Sequence, residues 1–121
     1  MGVENNNVVI ATTWNENEVA RIKTWVHEIK DKFWESLFIF GPVVINSKTT
    51  VVMVPDGSKE GWEESDRGDE LRSKFIAEIE KANYGDGSSP WDYVEVGFGE
   101  FGQKVLRGNC KNVYGHDGYA D

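Results

Sequence analysis

The sequence predicts a single α+β domain, and three observations carry that prediction. Two stretches, residues 16–34 and 66–82, repeat apolar residues every three or four positions, the period of a helix with one buried face. Around them lie short apolar or β-branched runs, and one segment near the end alternates with period two. The chain has 121 residues, of which 39% are hydrophobic and 28% charged. A chain of that size should bury roughly 65% of its unfolded surface around one core without a metal or a disulfide.

Val8–Trp14 is short, β-branched and apolar and reads as a buried strand. Asn15 follows as an N-cap, with Glu18 three residues on to complete a capping box. Val19, Ile22, Val26, Ile29 and Phe33 then form one stripe, which predicts a helix over 16–34. Leu37–Ile45 reads as a second strand bent at Gly41-Pro42. A proline cannot donate to the ladder, so this strand is expected at an edge or with a bulge. Asn46-Ser47-Lys48 has turn chemistry, and Thr49–Val54 completes a hairpin. Ser65 or Asp66 is the expected cap of the second helix, whose stripe is Leu71, Phe75, Ile79 and Ala82 with Ile76 beside it. In Asp92–Phe98 the alternation assigns Val94, Val96 and Phe98 to the core and Tyr93 and Glu95 to solvent. Gln103–Leu106 is a short final strand.

The order β-α-β-β-α-β resembles the ferredoxin-like split βαβ motif. That resemblance implies a four- to five-stranded antiparallel sheet with two helices packed on one face, strands one and three inside and strands two and four at the edges. Residues 1–109 form the expected domain, and 110–121 are polar, glycine-rich and aperiodic, a tail expected to be flexible.

Charge and cysteine usage narrow the classes of function. The net charge is −8, so a phosphate backbone would repel the chain. One cysteine, Cys110, excludes an intrachain disulfide and points to a reducing compartment. Met1–Asn7 has neither a basic nor an apolar region, so no signal peptide is expected, and the protein is placed in the cytoplasm. Leu37–Ile45 is too short to cross a bilayer.

Reactive groups are sparse. His27 reads as a surface helix residue, and Cys110 with His116 falls short of the four ligands of structural zinc. Asp56-Gly-Ser58-Lys-Glu60-Gly61 has oxygens at the first, third and fifth positions of a calcium loop. Its twelfth position is Arg67, a cation where a bidentate Glu is required. Gly97-Phe-Gly99-Glu-Phe-Gly102 has the letters of a dinucleotide loop but no helix behind it, and reads as a bent strand or hairpin turn. RNA stacking on Tyr93, Phe98 and Phe101 would need a basic surround that an acidic chain lacks. No catalytic residue, cofactor or metal is therefore expected.

The residues expected to meet a partner are acids and aromatics. Asp56–Glu70 holds seven acids against Lys59 and Arg67, a net of −5. Glu60, Glu63, Glu64, Asp66, Asp69 and Glu70, with Trp62, Trp91 and Tyr93, are the candidate contact residues for another protein, by electrostatic complementarity and by aromatic anchoring. The expectation is a non-enzymatic binding module, in its sharpest form a virus-encoded inhibitor that covers a basic nucleic-acid-binding surface. Self-association into a homodimer through the open sheet is a further expectation. Alternatives are a small-ligand binder or enzyme that works with carboxylates, and a structural or assembly subunit.

Overall fold

The structure, a computed structural model, describes residues 4–110. Five strands and three α-helices follow one another among them: β1 (Asn5–Thr13), α1 (Glu16–His27), α2 (Lys32–Ser36), β2 (Phe38–Phe40), β3 (Thr49–Met53), α3 (Glu63–Glu80), β4 (Trp91–Gly99) and β5 (Gly102–Gly108). The fold is α+β, one five-stranded antiparallel sheet ordered β2-β3-β1-β4-β5 with three helices. The expected pair of helices is therefore three. The fourth strand is not an edge, because β5 pairs along it from Gly99↔Gly102 to Val94↔Gly108 with one irregularity at Glu95/Val96.

Helix α1 starts where its sequence says. The Asn15 side chain accepts from the backbone N–H groups of Asn17 and Glu18, at 3.0 and 3.3 Å. The box is only half built, since the Glu18 carboxylate is taken by Arg21 and by the indole of Trp91. The single helix expected over 16–34 breaks after His27. Asp31 recaps the chain by accepting from Phe33 N–H at 2.9 Å, which starts α2. This break turns Phe33 out to solvent, 51% exposed, and swings Trp34 into the core instead.

The second strand is also shorter than expected. It stops at Phe40, and Val43, Val44 and Ile45 are exposed in the connection to β3. Pro42 has no N–H to continue the ladder. Asn46 and Ser47 both take positive φ, 63° and 58°, to bring the chain back to Thr49. Such paired left-handed residues suit a tight hairpin turn, and asparagine tolerates the conformation best. The 97–102 glycines form the β4–β5 hairpin, and Gly102 turns it at φ +102°.

One core lies between the sheet and all three helices. Val9 and Ala11 of β1, Val51 and Met53 of β3, and Trp91 and Tyr93 of β4 meet Ile22, Val26, Trp34, Phe75, Ile76 and Ile79 from the helices. The cross-strand register holds these strand residues on one face: Ala11 pairs with Val51 on one side and Tyr93 on the other. The phase of β4 is therefore the reverse of the sequence expectation. Trp91, Tyr93 and Glu95 point at the helices, whereas Val94, Val96 and Phe98 point away. A buried glutamate inverts the pattern because α3 supplies a buried cation, Arg72, to meet it.

Helix α3 begins at Glu63, two residues before the expected cap, with no side-chain cap at Trp62. Its inward face includes Gly68 and Arg72 beside the apolar stripe. A Cβ on Gly68 would land on the Asp56 carboxylate, so glycine is what lets the loop approach the helix there. Gly68→Ala is expected to destabilise by about 1–3 kcal/mol as Asp56 is pushed aside. Alanine's better helix propensity, about 1 kcal/mol, offsets only part of this. Urea unfolding of the two proteins checks the sign.

Candidate functional site

The helices cover one face of the sheet, and among the described residues nothing covers the other. Its register can be followed strand by strand. Ile39 (β2) pairs with Val52 (β3), Val52 with Ile10 (β1), and Ile10 with Val94 (β4), one apolar row across four strands. A second row runs Val8–Val96–Val105 across β1, β4 and β5. All seven are β-branched and none is charged. Ile39 is 54% and Val105 66% exposed, Ile10 36%, and the other four are half-buried. Thr12 and Thr50 border the first row, sharing a 2.8 Å hydrogen bond between hydroxyls. Phe98 borders the second, and Trp14 stands 57% exposed just past the end of β1. Exposed apolar surface of this continuity is uncommon on monomeric proteins and marks interaction sites.

The acidic stretch is organised differently from its sequence appearance. Glu63 pairs with Arg67 at 3.0 Å and Glu70 with Lys74 at 2.8 Å, each one helical turn on, and Asp69 pairs with Arg72. The first two are surface pairs, which add little stability, but all three mute the field that the acids present to a partner. Glu60, Glu64 and Asp66 have no ion pair among the described residues, and Trp62 beside them is 46% exposed. The other two aromatic candidates are internal. Trp91 is fully buried with its Nε1–H donating to Glu18 at 3.0 Å, and Tyr93 is enclosed with its hydroxyl donating to Glu80 at 2.7 Å. Both correct the expectation of partner contact, since each ring fills the layer beneath α1 and α3. Tyr93 is equally lost to base stacking.

Burial, and then the Glu80 carboxylate beside it, push the Tyr93 hydroxyl up to about 12. A folded-state pKa above the unfolded value means that stability is held below about 10 and falls as pH rises towards about 12. Wild type should lose urea resistance across that alkaline window, and Tyr93→Phe should lose less of it. Equal losses in both would place the ionising group elsewhere.

Arg72 anchors a second, internal arrangement. Its guanidinium lies 3.3 Å from Asp56 and 3.4 Å from Glu95, both carboxylates nearly inaccessible, and Arg107 of β5 donates to Glu95 at 2.6 Å. Asp56, the first residue of the calcium-like loop, also accepts from Ser58 N–H at 2.8 Å. Its carboxylate thus serves the protein's own cation. Among the described residues no group of three or more His, Cys, Asp or Glu side chains is placed to hold a metal ion. His116 lies outside the described residues, as does the expected tail beyond Cys110.

Glu4, Glu60, Phe101, Lys104 and Leu106 line an open groove of about 500 Å³ below the β4–β5 turn. The carboxylates whose pKa values are displaced all move down: Glu18 through Arg21, Glu35 through Lys32, Glu70 through Lys74 and Asp86 through Ser88. A general acid near neutral pH needs the opposite shift. Burial raises the Cys110 thiol, which lowers its thiolate fraction and its nucleophilicity. No helix among the described residues is long and apolar enough to cross a membrane.

The bare face was hard to find in sequence because Val8–Thr13 is apolar at both parities, so neither face could be assigned. One signal for the buried cation was present. Arg72 occupies a stripe position, four residues after Gly68 and before Ile76, where a charge requires an internal acid. The chain matches no protein-family model, no curated protein sequence and no solved structure.

Proposed function

We propose that this protein is a non-enzymatic protein-binding module that engages its partner through the bare face of its sheet. The observation that carries this reading is the uncharged double row of Ile39, Val52, Ile10, Val94, Val8, Val96 and Val105. Removing such surface from water yields roughly 25 cal/mol per Å², and the sheet holds the side chains in place before any partner arrives. The module is ferredoxin-like in its inner connections, with β5 as an added strand and α2 as an added turn of helix. That reading is supported by β2-β3-β1-β4 forming a contiguous part of the sheet.

An electrostatic version has one observation in its favour. Glu60, Glu64 and Asp66 lie near the exposed Trp62 and would suit a basic surface, as in a virus-encoded inhibitor that competes with nucleic acid. Its support is thinner, because the other three candidate acids are matched by cations of α3 itself.

Pull-down from lysate with three tagged proteins separates the versions: wild type, Ile10→Asp/Val96→Asp, and Glu60→Gln/Glu64→Gln/Asp66→Asn. Loss of a salt-resistant partner only in the sheet-face variant is the expected result. A partner that leaves at high salt and is lost only from the acid variant would replace the sheet-face reading with the electrostatic one.

A further inference from the structure

We infer that the occupant of the bare face is a second copy of this chain, stacked sheet against sheet about a two-fold axis. This inference rests on the proposed sheet-face reading and names its partner. The first argument is size. Strands of three, five, nine, nine and seven residues, at strand spacings of about 4.8 Å and rises of about 3.4 Å, span on the order of 500 Å² before side-chain relief is counted. Relief brings that towards the roughly 600–1,000 Å² that each partner buries in a stable interface.

The second argument is chemical self-complementarity. A two-fold interface brings the same patch onto itself, so any charge within it meets its own like. Both rows are free of charge, and their borders Thr12, Thr50 and Phe98 are neutral; an acid on this face, Asp92, stands at the start of β4 opposite Thr12, at the margin of the patch. A face shaped for a basic or acidic partner would carry the opposite sign at its centre, and the two rows carry neither. Pleated β-branched surfaces stack well face to face, about 10 Å apart with strands inclined by about 30°.

The third argument is where the excess charge lies. With a net of −8, two copies repel unless their acids stay apart. The acids of α3 flank a helix that packs on the opposite face of the sheet. In the stacked pair the two sheets lie between one α3 and the other. That distance is on the order of 30 Å, several times the Debye length of about 8 Å at physiological salt. Stacking through the bare face thus keeps the α3 acids of the two copies far apart.

Sedimentation of the full chain from low-micromolar to hundred-micromolar concentration, at low and high salt, tests the inference. A mass of twice the chain, at least as well populated in high salt, is expected for wild type and for the Glu60→Gln/Glu64→Gln/Asp66→Asn variant. Ile10→Asp/Val96→Asp should weaken the dimer by at least about tenfold with an unchanged far-ultraviolet CD spectrum. If those charges unfold the chain, Val52→Thr/Val96→Thr keeps the shape and should still weaken the pair. A dimer that survives the sheet-face changes would overturn the inference and move the contact to the β5 edge. A monomer at every concentration would overturn it too. A monomer that still loses a lysate partner on Ile10→Asp/Val96→Asp would leave the sheet-face reading standing with a different protein on it.

Discussion

Arg72→Ala is expected to cost about 3–5 kcal/mol of folding free energy, the range for leaving buried charges without their counter-ion. Arg72 is 3% exposed, and its two internal partners, Asp56 and Glu95, come from a loop and from β4. One guanidinium thus joins three segments that, among the described residues, meet nowhere else through charge. Its Nε makes no hydrogen bond, so the approach to Glu95 is Coulombic rather than directional. After the substitution Glu95 retains Arg107, whereas Asp56 retains only the Ser58 contacts. Arg72→Lys should recover only part of the loss, because a single ammonium cannot address both carboxylates as a planar fork does. Urea unfolding followed by tryptophan fluorescence gives both values. A loss below about 1 kcal/mol for Arg72→Ala would mean that water already solvates the cluster.

Phe75→Ala should fall in the same range, about 3–5 kcal/mol, for a different reason. The ring is fully buried, stacked on Trp25 at 6.0 Å with an interplanar angle of 11°, and met edge-on by Phe38 at 5.1 Å. Truncation leaves a cavity between α1, α3 and β2 and removes two aromatic pairs worth about 0.5–1.5 kcal/mol each beyond their buried area. Phe75→Leu should lose less, since most of the volume stays. Phe33→Ala is the control. That ring is half exposed, and its loss should stay within about 0.5 kcal/mol in the same denaturation series.

Elements governed by local chemistry were legible in the sequence. Asn15 caps α1, the stripe Leu71–Phe75–Ile79 packs α3, and Thr49–Met53 is a strand, as their residue types require. What was not legible depended on contacts between distant segments. The phase of β4 turns on Glu95 meeting Arg72, and alternation alone prefers Val94 and Val96 inside. The break after His27 lies in a sequence that continues the helical stripe through Phe33, and it is Asp31 recapping the chain together with burial of Trp34 that goes with the break. Of the candidate contact residues, the exposed acids and Trp62 lie where a partner can reach them. Trp91 and Tyr93 were misread because a large aromatic ring serves a core and an interface equally well in composition.

The position of β1 in the middle of the sheet has a consequence for how the molecule is made. One of its two partners, β4, lies about eighty to ninety residues farther along the chain. At typical synthesis rates of roughly 5–20 residues per second, Val8–Thr13 leaves the ribosome several seconds before that partner exists. During this interval its most β-prone segment has only the β3 edge to pair with, and α1 has half a core to rest on. Until β4 emerges, one edge of β1 has no native partner, and a helper that shields β1 early is expected to raise the yield of folded protein more than one acting after release.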